Sequence, residues 1–381
     1  MISSNPGFVG QRLTEAREVR MISGKSLADS LEVSASSISQ YENGKQTPGD
    51  DVLNRMADSL RFPTRFFFGP EREGRAHTTF FRSLKRDSKA SQRAAWWRLQ
   101  WQHDLTEYLD EYLELPINSL PDLGFTSNPN VISDEQIEDA AMRLRQCWKV
   151  GHGAISNLLL LAERNGVVIS RYRLFAQDED ALSEPLIGGK RDYVLLNADK
   201  GAAVRSRFDL AHELGHLVMH RNVSADSKRE NHKLIEKQAN LFAGALLLPW
   251  VSFSRDFMVP TLDVFVHLKP KWKTSVGAMI MRCKHRGIID KDEQQSLFRK
   301  YRYRSWHLSE PLDDELEVEQ PQLLHQCMTA LLELGIQTRG DICRSQVFLR
   351  RDVEEICNLP FGFLHDSLAS KFDLNLKPRN N

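Results

Sequence analysis

A chain of 381 residues exceeds one ordinary domain and sets an expectation of two or three folded units. Its residues are 41% hydrophobic, enough for a core, and its 51 basic and 51 acidic side chains cancel, which excludes chain-wide attraction to nucleic acid. Five scattered cysteines without a CxxC pair argue against a disulfide framework and a cysteine-based zinc knot. Any DNA-binding surface therefore has to be local.

No apolar signal core opens the chain, and its longest apolar run, LFAGALLLPW, is too short to span a bilayer. A cytoplasmic protein without membrane partners is expected. The first block, residues 8–70, reads as short helices. In SLADSLEVSASSISQYENGKQTP, Leu27, Ala28 and Leu31 are spaced for the buried side of one helix. Ser34 can cap a second helix whose Ile38 and Tyr41 turn inward. That leaves Ser36, Ser37 and Gln40 on an outer face, where a recognition helix meets base edges. Asn43-Gly44 breaks the helix, and Asn43 and Lys45 are placed for phosphate.

The stretch ISQYENGKQTP resembles the XRE, phage-repressor-like helix-turn-helix family over roughly residues 8–68. That resemblance implies double-stranded DNA as a partner, with Ser36 and Gln40 in the base-reading positions. Many members start the preceding helix with a phosphate-gripping glutamine; here the place holds Gly24, followed by Lys25.

Residues 71–130 begin basic, with RSLKRDSK suited to a solvated linker or to DNA backbone, and continue into AAWWRLQWQ. Trp96, Trp97 and Trp101 there read as core packing. From 131 to 307 the pattern is α+β. Ser133 and Gln136 form a capping box, GVVISRYRL and DYVLLNA read as strands, and DYVLLNA could offer an edge to an extended peptide.

Next comes AHELGHLVMH. Residues four apart share a helix face, so His212 and His216 can present two imidazoles to one metal, with Glu213 beside them. A catalytic zinc takes three protein ligands and keeps an open position. Glu236, on a second predicted helix, supplies the third, and Asn240 one turn on can orient a ligating histidine. His220 has rotated off the row and reads as a capping or core-edge residue. Glu230 and His232 fall in a polar stretch that reads as a loop. Tyr193, His220 and His232 are all eligible to stabilise an oxyanion. Residues 308–381 begin acidic, become helical, and receive a packing or dimerisation role.

The segments RSRFDLAHELGHLVMH and EKQANLFAGALLLP together are similar to the ImmA/IrrE metallopeptidases. The likeness extends through FFRSLKRDSKASQR upstream and LKPKWKTSVGAMIMRC downstream. It implies one zinc per chain on His212, His216 and Glu236, with Glu213 as the catalytic base. The expected fold is multidomain: an all-α helix-turn-helix domain, an α+β zincin-like metallopeptidase domain, and a helical C-terminal region. Three functions follow from it. The chain is a DNA-targeted zinc endopeptidase that cleaves a repressor or antitoxin, a regulator whose peptidase fold only senses, or an antitoxin-like binding protein. Paired operator half-sites would make it a homodimer.

Overall fold

The computed structural model describes residues 7–71, 80–81, 89–172, 181–184, 191–198, 202–345 and 349–365. The basic stretch RSLKRDSK lies outside them, apart from the Lys89 that opens a helix. Four helices come first: α1 (Gly10–Val19), α2 (Gly24–Ser30), α3 (Ala35–Glu42) and α4 (Asp50–Leu60). Serines start two of them, because the side chain of Ser23 accepts from the Ser26 amide and that of Ser34 from the Ser37 amide. Leu27, Ala28, Leu31, Ile38 and Tyr41 are buried as their spacing predicts. Helix α3 ends at Gly44, whose φ of 65° is cheap only without a side chain.

A short strand β1 (Phe80–Phe81) and the long helix α5 (Lys89–Asp110) follow. Trp97 and Trp101 are buried, and their indole groups donate to Glu18 at 2.8 Å and Glu15 at 2.6 Å on α1. The next residue, Gln102, donates to the Val168 carbonyl at 2.9 Å. Helix α5 thus touches the helix-turn-helix with its indoles and the central sheet with its amide.

The sheet is reached through α6 (Asp134–Cys147), opened by the Ser133/Gln136 capping box, and α7 (Leu158–Arg164). Strands β2 (Val168–Tyr172), β3 (Ala181–Glu184) and β4 (Tyr193–Asn197) join β1 in the order β1-β3-β4-β2. β2 runs parallel to β4, while β3 is antiparallel to both β4 and β1. The edge expectation for DYVLLNA fails here: β4 is hydrogen-bonded on both sides, so its backbone is spent.

Both sheet faces are covered, which explains the unbroken burial of β2 and β4. Ile169, Ala181, Val194 and Leu196 enter one core with the helices that follow. Val168, Leu182, Tyr193 and Leu195 enter a second core, continuous with the helix-turn-helix, α5 and the C-terminal helices.

The following helices are α8 (Ala203–Met219), α9 (Ala225–Glu230), α10 (His232–Leu247), α11 (Trp250–Phe253), α12 (Leu262–Trp272), α13 (Val276–His285) and α14 (Lys291–Tyr303). The polar stretch read as a loop is helical: Ser224 caps α9, Glu230 ends it and His232 opens α10. A local serine cap outweighs the lack of apolar periodicity.

The acidic stretch after α14 is stitched to its surroundings. Glu310 accepts from buried Lys269 at 2.9 Å and from the Val276 and Gly277 amides at the start of α13. Glu319 accepts from the Leu159 amide opening α7 and pairs with Arg207 of α8. In return Glu163 of α7 accepts from the Gln322 and Leu323 amides, capping α15 (Leu323–Glu333). Carboxylates at helix N-termini meet both unpaired amides and the positive end of the dipole. Helices α16 (Arg339–Ser345) and α17 (Arg350–Ile356) complete the fold. No described helix is long and apolar enough to cross a membrane.

A two-pronged ion pair ties the two ends of the chain together, with Arg20 after α1 donating to both oxygens of Asp352 on α17 at 2.9 and 2.7 Å. Asp352 is 4% exposed and Arg20 21%, so removing one partner leaves a largely buried charge unpaired. We expect Asp352→Ala to cost about 1.5–3 kcal/mol in urea denaturation; an unmoved midpoint would show that the pair holds nothing.

Candidate functional site

Helix α8 carries HELGH and α10 carries Glu236, so the site exists only where these two helices lie side by side. Gly215 lets them approach. A Cβ at that position would sit 3.0 Å from Cδ1 of Phe242 on α10, tighter than ordinary packing. Leu210, Leu214, Leu217 and Val218 bury the opposite side of α8 and fix its rotation. The histidines are left facing α10.

The three donors converge. Nε2 of His212 and of His216 each lie 3.3 Å from one oxygen of Glu236, and 2.9 Å from one another. Two ligands on a tetrahedral zinc, each ~2.0–2.1 Å from it, stand about 3.3–3.4 Å apart. His212 and His216 are fully buried, whereas Glu236 is 17% exposed on its side chain and lies at the wall of a cavity.

Hydrogen bonds beyond the donors decide where the protons are. Asn240 presents Oδ1 to Nδ1 of His212 at 3.1 Å, and a carbonyl oxygen only accepts, so that Nδ1 carries hydrogen. Gln238 donates through Nε2 to the carbonyl of Pro129 at 2.8 Å, which orients its Oε1 toward Nε2 of His220 at 3.0 Å. His220 therefore carries its hydrogen on Nε2 and offers Nδ1 as acceptor to Nδ1 of His216, 3.0 Å away. Both ligand-facing Nε2 atoms are consequently lone pairs, aimed at one another and at a carboxylate. Only a cation reconciles that geometry, either a metal ion or a proton shared among the three. Burial pushes His216 down to about 4, outweighing the neighbouring Glu236, so near neutral pH a proton does not serve. The donor set suits a metal ion.

Glu213 is buried on the sheet side of α8, where Ser183 of β3 donates to its Oε2 at 2.5 Å. Sequence spacing gave no sign of Ser183, because β3 reaches α8 only through the sheet. The role of His220 was also missed. It does cap α8, but it is fully buried and holds His216 rather than sitting at the core edge.

Two of the three oxyanion candidates fall away. Tyr193 packs on the far side of the sheet, 5.2 Å from the ring of His103 on α5, and His220 is bound between His216 and Gln238. His232 lines the cavity beside Glu236.

On the helix-turn-helix, Ser36, Gln40, Asn43 and Lys45 are exposed. Ser37 is not: it is half-buried, and its hydroxyl lies 2.8 Å from that of Ser34, because both serve the cap of α3. Asn43 spends its amide on the Ser39 carbonyl at 2.7 Å, and Lys25 is exposed at the start of α2.

The architecture is that of a helix-turn-helix joined to a small mixed sheet with a metal-competent helix pair. Comparison with known families gives the same two parts. Residues 13–67 match the family described as Helix-turn-helix, and residues 162–284 match the IrrE N-terminal-like domain, a metallopeptidase family. The chain thus carries an XRE-type helix-turn-helix at its N-terminal end and an IrrE N-terminal-like domain that spans β2 to α13 and contains His212, His216 and Glu236. No curated protein matches it.

Two outcomes follow. His220→Ala removes the acceptor that fixes His216, and we expect zinc affinity in chelator competition to fall ~10–100-fold while Ser36→Ala leaves it unchanged. Because the folded His216 titrates near 4, below its ordinary 6.5, the unfolded chain binds more protons between those values. The contribution of this group to the stability of the metal-free chain is then full above about pH 6.5 and lost as pH falls toward 4. Urea midpoints across that window should drop less in His216→Ala; equal slopes would refute the neutral, buried imidazole.

Proposed function

We propose that this protein is a DNA-binding regulator whose zinc-dependent endopeptidase domain cleaves a regulatory protein, a repressor or an antitoxin. The observation that supports it most is the convergence of two lone-pair imidazole nitrogens and the Glu236 carboxylate. A structural zinc is normally closed by four protein ligands, whereas three donors beside a cavity suit catalysis. One zinc per chain on His212, His216 and Glu236 would act as a Lewis acid toward water and a peptide carbonyl.

The residues around that position have distinct duties. Asn240 and the His220–Gln238 pair hold the two imidazoles in the tautomer that presents Nε2. Glu213 takes the proton of the attacking water and delivers it to the leaving amine. Its reach is set by Ser183, which pins one oxygen from the sheet. His232, at the cavity wall, is the donor best placed to meet a developing oxyanion. On the other part, Ser36, Ser37 and Gln40 face base edges and Asn43 and Lys45 meet phosphate, while Ser37 and Asn43 also bond within the two ends of α3. Double-stranded DNA then brings the peptidase to a promoter, in a dimer if the half-sites are paired.

Elemental analysis of the full chain should find one zinc, lost in Glu236→Ala. Incubated with the proteins of its own cells, the zinc-loaded wild type should create new N-termini in a regulatory protein. Glu213→Gln should keep zinc and DNA binding but cleave ~10²–10⁴-fold more slowly. If Glu213→Gln leaves the same new termini and the same gene regulation, the domain senses and does not cut.

A further inference from the structure

A cavity of about 640 Å³ opens directly from the metal-facing side of α10. One wall is the ladder Glu236, Asn240 and Gly244, spaced one turn apart on that helix. Phe208 contributes from α8, one turn ahead of His212 and on the same face. Across the gap stand Ala278 and Met281 of α13 and Phe298 of α14. The site therefore continues into an apolar recess beyond the atoms that do chemistry.

Small residues keep the recess open. A Cβ on Gly244 would meet only Cδ of Arg282, at 3.9 Å, and one on Gly277 would touch nothing closer than 3.8 Å. Neither glycine has a positive φ or a backbone close to it, so their smallness is not demanded by the fold. A recess of this size is in the range that seats ligands, and it exceeds a single aliphatic side chain.

Positive side chains outnumber negative ones in its lining. Among the described lining residues the only acid is Glu236, which faces the two imidazoles. Arg282 is neutralised by Glu138 and donates to the Leu248 carbonyl. Lys233 and Lys237 are exposed; among the described residues Lys237 pairs with Asp134 at 3.9 Å, a solvent-screened contact. Acidic groups on an incoming chain would be drawn to these lysines.

We propose that this recess is the specificity pocket of the peptidase and that it takes a large apolar side chain, of leucine, methionine or phenylalanine, from a substrate segment carrying aspartate or glutamate within two residues of it. The proposal rests on the peptidase reading, and it names what that peptidase selects: an acidic-apolar segment, not a basic one.

The test uses zinc-loaded full-length protein and quenched fluorescent peptides that pair leucine, phenylalanine, alanine or serine with either aspartate or lysine. Wild type should prefer the leucine and phenylalanine peptides with aspartate by at least tenfold in kcat/KM. Ala278→Trp, or Gly244→Leu should the first fold poorly, fills the recess and should erase the apolar preference at unchanged zinc content. Lys233→Glu with Lys237→Glu should turn the preference from aspartate toward lysine. The same peptides labelled with fluorescein are titrated onto Glu213→Gln by anisotropy. If wild type cuts nothing but Glu213→Gln binds the aspartate-leucine peptide and Ala278→Trp abolishes that binding, the pocket stands and the peptidase reading falls. If wild type cuts all peptides alike and neither filling nor charge reversal changes the rates, the pocket is refuted and the peptidase reading stands. Absence of both cutting and binding overturns both.

Discussion

Everything at the metal-competent centre depends on the close approach of α8 and α10. Two histidines on one helix supply at most two donors, and a third must come from elsewhere at a separation set by side-chain length. Gly215 brings Phe242 against the backbone of α8, and the apolar residues on the back of α8 stop that helix from rolling. The glycine in HELGH is thus a packing residue for the neighbouring helix. Once the two helices are in contact, Asn240 and Gln238 from α10 reach the imidazole rings of α8 and fix their protons as well as their positions.

Helix α8 is held from the other side by the sheet. Ser183 meets Glu213, and Arg171 of β2 donates to Ser206, so α8 is anchored at two points by strands of the same small sheet. The far face of that sheet is not solvent. It is covered by the core that also contains α1, α5 and the C-terminal helices. Trp101 and Gln102, adjacent on α5, contact the helix-turn-helix and β2 respectively, and Arg20 reaches Asp352 on α17. A change in the register of α5 would therefore be felt in both the DNA-facing helices and the strands behind Glu213. The two parts share packing and not merely a chain.

The acidic segment after α14 shows how charge is put to structural use. In sequence, Glu310, Asp313 and Glu319 show only that the segment is acidic. In place, Glu310 and Asp313 surround the fully buried amine of Lys269, while Glu319 meets buried Arg207 and caps α7. Buried cations are tolerable only with such partners, and helix starts need acceptors for their first amides.

Local rules carried the sequence a long way. Serine caps, the Asn43-Gly44 stop, the capping box at Ser133 and the apolar spacing of α2, α3 and α8 are decided within one or two helical turns, and the fold follows them. The pairing of His212, His216 and Glu236 was legible because its two halves lie on helices whose polar and apolar sides are clear. What stayed hidden is what chain distance conceals. Ser183 meets Glu213 from a strand that has no strong pattern of its own, and His220 becomes the partner of His216 only because Gln238 orients it. DYVLLNA reads as a strand in sequence, but its central place was set by which neighbours paired with it. Sequence by itself determined which residue types could bind a metal and where helices start and stop, because those are short-range matters of hydrogen bonding and periodicity. Tertiary structure alone decided which lone pairs face one another, since that depends on helices and strands brought together by burial of their apolar sides.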